Sequence, residues 1–236
     1  YYVSDLYTQI NYDGEIVRVT PLEYNGFFKW IKNRKKGITG YIKVNSVNGT
    51  SELVKLPKGM KYTESAYFND YLPRLLRFKY PTLIFGTANF ELDNDGNPYF
   101  IVPVFKYKAV GLKRDVKGVV IVNPVNGKTN YYKTKDVPSW VDHVYDAKLI
   151  IEQVDDWGLY QKGFFNSLFS QTGVVMTTDG YNYLVKDDDV YLYTGITSVS
   201  TDESNIGFIL ANMRTKETFF YQVPGAEEYS AMASAE

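Results

Sequence analysis

The chain has 236 residues, 44% of them hydrophobic, and no cysteine. That apolar content excludes a disordered chain, and the lack of cysteine excludes disulfides, thiolate nucleophiles and Cys-based zinc sites. Its 26 basic and 27 acidic residues give a net charge of −1, so we expect no nucleic-acid partner. No apolar run approaches 18 residues, so we expect no membrane span within the sequence.

Residues 1–59 contain two hairpin signals and predict a first, partial β module. Asp13-Gly14 lies between alternating residues, and a mainly apolar strand runs from Gly40 to Asn45 before Asn48-Gly49. Asp-Gly and Asn-Gly are strong hairpin signals because both residues tolerate positive φ. The basic run 32–36 indicates a solvated loop.

Residues 60–136 predict an α+β module. A helix is indicated within 60–81 by apolar residues from Leu72 to Phe78, with Pro73 near its start and Thr63 and Ser65 as candidate caps. The same two hairpin signals then recur in the same order. The first is Asp95-Gly96, and the second is Asn126-Gly127, which follows a strand from Gly118 to Asn123.

Residues 137–223 predict a further α+β module that carries a helical insert at 137–169. Pro138 suits a first helical turn, and the apolar residues from Trp140 to Tyr145 have helical spacing. Residues 146–158 fit a helix or a strand, and 163–169 a short helical turn. The third copy of these hairpin signals begins with Asp179-Gly180. A strand from Gly207 to Asn212 follows, and then Thr215-Lys216, which leaves the type of the second turn open.

The last residues, 224–236, have the composition of a helix that has just begun. A helix that stops after its first turns predicts an excised fragment of a longer protein. The repeated order along the chain predicts tandem antiparallel β-sheet modules, each with a covering helix, in the α+β class.

Residues 90–132 resemble the PepSY domain of bacterial extracytoplasmic proteins. The shared pattern is a helix, a strand, an Asp-Gly turn, a second strand, and then a strand that ends in a D-x-x-T-G-K type of turn, which here is 123–128. The resemblance implies a PepSY-like module at the cell surface of a firmicute-type bacterium, in a parent chain anchored in the membrane outside this stretch. It implies a role in binding a protein partner and supplies no catalytic residue.

No catalytic residue, metal site or cofactor is indicated by the sequence. The chain has no G-x-S-x-G or P-loop motif, and His143 is its one histidine. "DNDGN" at 93–97 imitates part of a calcium loop but lacks the later bidentate Glu. The triple Asp at 187–189 is simplest as a charged hairpin turn.

The long insert concentrates the candidate partner-binding residues, because aromatic side chains there are mixed with acids and the histidine. They are Trp140, His143, Asp155, Asp156, Trp157 and Tyr160. The preferred hypothesis is a non-catalytic module that binds a protein or cell-wall partner, or serves as a spacer or sensor. The alternative is an envelope enzyme or accessory that acts on cell-wall polymers, and an assembly subunit is a third possibility.

Overall fold

The computed structural model describes residues 1–5, 7–107, 113–160, 173–198 and 205–223. In these residues fifteen strands pair antiparallel in three sheets, against three α-helices. The predicted α+β class, with a covering helix on each module, is therefore wrong, and the fold is mainly antiparallel β-sheet. Val, Ile, Tyr and Phe favour a pleated, half-buried surface, and their abundance extends the strands at the expense of helix.

The first sheet is formed by residues 2–60, with a helix between its third and fourth strands. Its elements are β1 (Tyr2–Val3), β2 (Thr8–Tyr12), β3 (Glu15–Glu23), α1 (Gly26–Asn33), β4 (Ile38–Asn45) and β5 (Ser51–Met60). β1 and β2 both pair with one edge of β3, and β4 and β5 follow in order.

The second sheet follows a shorter helix than the sequence predicted. Its elements are a 3₁₀ turn (Phe68–Asp70), α2 (Leu72–Lys79), β6 (Ile84–Phe85), β7 (Asn89–Leu92), β8 (Pro98–Tyr107), β9 (Arg114–Val122), β10 (Thr129–Lys133) and a second 3₁₀ turn (Thr134–Asp136). Pro73 lies in the first turn of α2, as predicted. Thr63 and Ser65 are not its caps, because the helix starts after Tyr71 without a side-chain cap.

The third sheet follows the longest helix. Its elements are α3 (Ala147–Tyr160), β11 (Val175–Thr177), β12 (Asn182–Lys186), β13 (Asp189–Ser198), β14 (Asn205–Asn212) and β15 (Thr218–Gln222). The helix predicted from Pro138 to Tyr145 is wrong. Residues 141–145 are all buried and so have no solvent-exposed face, and the side-chain carboxyl group of Glu91 accepts hydrogen bonds from two of their backbone N–H groups. The predictions at 163–169 and 224–236 lie outside the described residues.

All three sheets have one strand order. Two short strands share the first edge, a long strand lies beside them, and the last two strands form a hairpin. The first hairpin of the third sheet turns at Asp187-Asp188, both with positive φ, between Lys186 and Asp189. Asp179-Gly180 instead joins β11 to β12, so the prediction that it forms the matching hairpin turn is wrong. The prediction that the triple Asp forms a charged hairpin turn is confirmed.

The closing hairpins of the three sheets have the same turn hydrogen bonds. The Oδ1 atom of Asn45, Asn123 or Asn212 accepts the N–H groups of the residues two and three positions later. The backbone N–H of each Asn also donates across the turn, to Thr50, Lys128 and Glu217 respectively. Lys216, with φ of +66°, takes the left-handed position that Gly49 and Gly127 fill in the other copies. The third turn therefore has the geometry of the first two.

The chain forms two compact units, Tyr1–Val144 and Tyr145–Glu236. In the first unit the two sheets bury their apolar faces against each other, and the rings of Tyr41 and Phe90 meet at 5.7 Å between centroids. The apolar face of the first sheet is thus covered by a second sheet, and not by the helix that was predicted, because either element can bury an apolar face.

Candidate functional site

The predicted partner-binding residues fall in both units. Trp140 and His143 belong to the first unit, while Asp155, Asp156, Trp157 and Tyr160 lie on α3 in the second. The structure therefore brings the four α3 residues together on one helix.

His143 is buried, with 4% of its surface exposed. Its backbone N–H and that of Asp142 donate to the two side-chain carboxyl oxygens of Glu91 at 3.0 and 2.9 Å. Burial lowers the pKa of His143 to about 4. Burial and the nearby Asp142 raise the pKa of Glu91 to about 8. These buried groups fix the segment that follows the second sheet, which is a structural role.

Trp140 is half-buried and contacts a ring of the second sheet. Its ring centroid lies 5.0 Å from that of Tyr99, with the planes inclined at 40°. Trp140 therefore contributes to the packing of this sheet.

The α3 residues are more accessible. The side chain of Trp157 is 51% exposed and borders a recess of about 370 Å³ that Ile150, Val154 and Phe220 also line. Asp155 is engaged locally, because its Oδ1 accepts the N–H of Thr177 at 2.7 Å. Of the predicted residues, Trp157 and Tyr160 remain exposed enough to meet a partner.

A larger exposed aromatic cluster lies in the first unit, where the sequence reasoning did not place a site. We define the aromatic surface as Phe27 and Phe28 of α1 together with Tyr67 and Phe68, which lie at the start of the first 3₁₀ turn. Their rings contact one another around Phe27, with centroids 5.4 to 6.3 Å apart. Phe28 is 77% exposed and Phe68 62%.

Trp30 forms the base of the aromatic surface. It is buried, and its ring lies within 6 Å of those of Phe27, Tyr67 and Phe68. Phe27 and Trp30 are spaced three residues apart on a helix and so share a face. The adjacent pair Phe27-Phe28 before Trp30 was the available sequence signal, because it places a phenyl ring outside the buried face of a short helix.

Phe68 has a left-handed backbone. Its φ is +53°, a conformation that costs a bulky L-residue about 1–2 kcal/mol. The Tyr71 N–H donates to its carbonyl and closes the 3₁₀ turn that holds it there. Strained residues of this kind cluster at functional sites, which makes the exposed ring of Phe68 a candidate contact residue.

None of the described residues form a group of three or more His, Asp or Glu side chains that could hold a metal ion. The part of the chain that the structure describes contains no helix with the length and apolar character needed to cross a membrane.

Comparison with known proteins found no matching family model, no matching curated protein and no matching solved structure.

Proposed function

We propose that this chain is a non-catalytic extracytoplasmic module that binds a protein partner through the aromatic surface. The observation that carries the proposal is the contiguous exposure of Phe28 and Phe68 beside Phe27. Exposed apolar clusters of this kind are typical of interaction sites, and aromatic residues contribute a large share of the binding energy at such sites. The extracytoplasmic setting rests on the resemblance of residues 90–132 to PepSY domains.

The ring geometry favours a protein over a cell-wall polymer. Phe27 meets Phe28, Tyr67 and Phe68 with interplanar angles of 71°, 85° and 78°. Rings inclined so steeply do not form the flat platform on which sugar rings stack. Three of the four rings are phenyl groups, which offer no hydrogen bond to a hydroxyl-rich polymer. Apolar side chains of a protein segment fit between such rings.

The backbone of Phe68 supports the same reading. A glycine or asparagine at this position would relieve the left-handed strain, yet the chain has a phenyl group there that is mainly exposed. The ring in turn contacts Phe27 and Trp30, and these contacts help to hold Phe68 in this conformation.

The proposal is tested by photocrosslinking in the cells that produce the protein. A benzoylphenylalanine at position 28 is expected to form a covalent adduct with one discrete protein. The same group at position 78 is the matched control, because Phe78 is 71% exposed on α2, outside the aromatic surface. The crosslinked protein is then purified, and its affinity is measured by calorimetry.

Phe68→Gly separates binding from folding. We expect the free energy of unfolding to change by less than about 1 kcal/mol, because relief of the left-handed strain offsets the lost ring contacts. Affinity for the purified partner should fall at least about tenfold, as for a residue central to an interface. Phe78→Ser should leave it unchanged.

Three results would contradict the proposal. The first is equal crosslinking from positions 28 and 78. The second is an adduct with another copy of this chain alone, which would make the surface a self-association site. The third is retention on purified cell walls that requires Phe28, which would replace the protein by a polymer.

A further inference from the structure

The outer strand of the third sheet lacks the protection that the outer strands of the other two sheets have. β15 (Thr218–Gln222) lies at the end of the third sheet, as β5 does in the first and β10 in the second. β5 carries Lys55, Pro57 and Lys58 and is interrupted by a bulge, and natural sheet edges are commonly protected in this way. On β10, Tyr131 packs against the core. β15 has no charged residue and no proline, and all five of its residues are exposed.

The hydrogen bonds to β14 show which backbone groups of β15 point outward. The Asn212 N–H donates to the carbonyl oxygen of Glu217, and the Val223 N–H donates to that of Ile206. Hydrogen-bonded pairs alternate with other pairs along an antiparallel ladder, so the odd-numbered residues of β15 bond to β14 and the even-numbered ones direct their N–H and C=O groups away from it. The outward residues are Thr218, Phe220 and Gln222. Within the part of the chain that the structure describes, no strand pairs with this side of β15.

The side chains of β15 are aromatic on both faces of the sheet. Phe220 lies on the face toward α3, where it lines the recess of about 370 Å³ that Trp157 borders. Phe219 and Tyr221 lie on the opposite face, because side chains alternate along a strand, and the Tyr221 ring stacks on that of Phe208 at 5.1 Å between centroids. The three β15 rings are 40% to 43% exposed. The unpaired edge is therefore flanked on both faces by rings that can meet a further strand.

The sequence of β15 is self-complementary when two copies lie antiparallel about Phe220. In that register Phe220 lies opposite Phe220 of the second copy, Phe219 lies opposite Tyr221, and Thr218 lies opposite Gln222. The outward N–H and C=O groups of all three even-numbered residues then have partners, because the two residues of a hydrogen-bonded pair exchange both bonds. Every ring has an aromatic counterpart, which is a stabilising cross-strand pair, and no like charges face each other.

The corresponding register of β5 has no such complementarity. Leu53 takes the place of Phe220, counted from the strand pair that precedes each closing turn. Two copies of β5 centred on Leu53 would place Glu52 opposite Val54 and Lys55 opposite Ser51. Both charged side chains would then face uncharged ones, so no ion pair would offset the loss of their hydration. An edge that matches itself is therefore a property of the third sheet and not of the shared strand order.

We propose that β15 pairs with β15 of a second copy of this chain, so that two third sheets join as one continuous antiparallel sheet with two-fold symmetry. A two-fold interface opposes the same surface patch from both subunits, and β15 matches itself in this way. The partner is a second copy because each ring of β15 has its counterpart within β15. The interface shares no residue with the aromatic surface, so failure of either proposal leaves the other testable.

The first test is sedimentation velocity of the whole chain over a range from about 1 µM to about 1 mM, because a single pair of five-residue strands is a small interface of the transient kind. We expect a reversible, concentration-dependent change from monomer to dimer. No larger species should form through β15, because two-fold pairing leaves no outward hydrogen-bonding group on it unpaired.

The second test exchanges charges at the centre of the interface. Phe220→Lys and Phe220→Glu each place two like charges directly opposite each other, so either variant alone should dimerise at least about tenfold more weakly than the wild type. An equimolar mixture of the two should recover dimers that contain one copy of each, because the central pair then has opposite charges. Circular dichroism and thermal unfolding of both variants check that each remains folded.

Leu53→Lys is the matched control, because Leu53 is 52% exposed at the corresponding position of β5, and it should leave dimerisation unchanged. An equal loss in this variant would overturn the proposal and move the interface to the first sheet. A monomer at every concentration would also overturn it and would leave the edge to a strand of another protein. So would a mixture of the two Phe220 variants that dimerises no better than either alone, since position 220 would then not face itself.

Discussion

The second and third sheets share a backbone plan but differ in the side chains that fill it. Each has two short strands on one edge of a long strand, and each ends in an Asn-headed hairpin. Counting pairs from the first turn, where Asp93 and Asn97 match Lys186 and Asp189, buried Glu91 of the second sheet has Leu184 as its counterpart in the third. Gly127 likewise corresponds to Lys216. The shared backbone plan therefore depends on a few local features, which we call backbone devices. The side chains at most other positions differ between the two sheets.

The glycine that begins each closing hairpin is the first of these devices, and its removal should have the largest effect. A Cβ at Gly118 would lie 2.2 Å from the Tyr132 carbonyl oxygen, and one at Gly207 2.2 Å from that of Tyr221. We expect Gly118→Ala and Gly207→Ala each to destabilise the protein by about 3 kcal/mol, because a backbone oxygen in a paired strand cannot move aside. Urea unfolding measures the loss.

Gly14→Ala serves as the control for steric contact. Gly14 has φ of +78° but nothing within 4 Å of the added Cβ, so the cost should be about 1 kcal/mol, from backbone strain alone. Equal losses at positions 14 and 118 would show that the close approach of the strands has no energetic weight.

Glu91 should give the first unit a pH dependence that its apolar counterpart Leu184 cannot give the second. The folded pKa of Glu91 is raised to about 8, from 4.5. Folded Glu91 therefore keeps its proton where the unfolded chain has lost it, and stability falls as pH rises across this range. For His143 the folded pKa is lowered to about 4, from 6.5, so its contribution rises with pH up to about 6.5.

The two contributions oppose each other below about pH 6.5, and above it the contribution of Glu91 is unopposed by that of His143. We therefore expect a net fall in stability between about pH 6.5 and 8. Glu91→Gln should abolish the fall, which urea unfolding at the two pH values measures. A variant that loses as much stability as the wild type over this interval would exclude Glu91 as its source.

The Asn that heads each closing hairpin is the second device, and its effect should follow its surroundings. Asn212 is buried and its Nδ2 also donates to Asp189 at 2.7 Å, whereas Asn45 makes its turn contacts at the surface. We expect alanine to cost about 2 kcal/mol at Asn212, about 1 at Asn123 and less at Asn45. Chemical denaturation ranks the three. A reversed order would mean that turn geometry, and not burial, sets the cost.

Replacement of the left-handed Lys216 by glycine should have the smallest effect. Lys216→Gly relieves backbone strain but removes a lysine ammonium that lies 5.3 Å from the Tyr145 ring centroid, so we expect a gain of less than about 1 kcal/mol. The reverse change, Gly127→Lys, should destabilise, because the new Cβ would enter the Tyr62 ring. Thermal unfolding of the pair tests this, and a gain from both changes would contradict it.

Sequence reasoning was most successful where the signal was local. The Asn-headed hairpins, the triple-Asp turn and Pro73 in a first helical turn were predicted, because neighbouring residues determine each of them. It failed at 138–145, where helical spacing of apolar residues gave way to burial on every side and to contacts with Glu91. Asp179-Gly180 shows a similar limit, because an Asp-Gly pair fixes a turn but not which strands it joins.

The candidate sites were less accessible to such reasoning. The aromatic surface joins α1 to a turn near residue 68 and is not contiguous in the sequence. The residues of β15 are contiguous, but their place at the edge of the third sheet depends on which strands pair. The exposure of Phe28 and Phe68 also depends on what the neighbouring elements leave uncovered, which residue type alone does not indicate.

The sequence by itself determined where the chain turns and where its strands begin, since Asn, Asp and Gly set local φ and permit close backbone approach. Tertiary structure alone decided that a second sheet covers the first, that His143 is buried, and that β15 lies at the edge of its sheet. The reason is physical: turn preferences act between neighbouring residues, whereas burial of apolar area is non-directional and accepts any covering partner that fits.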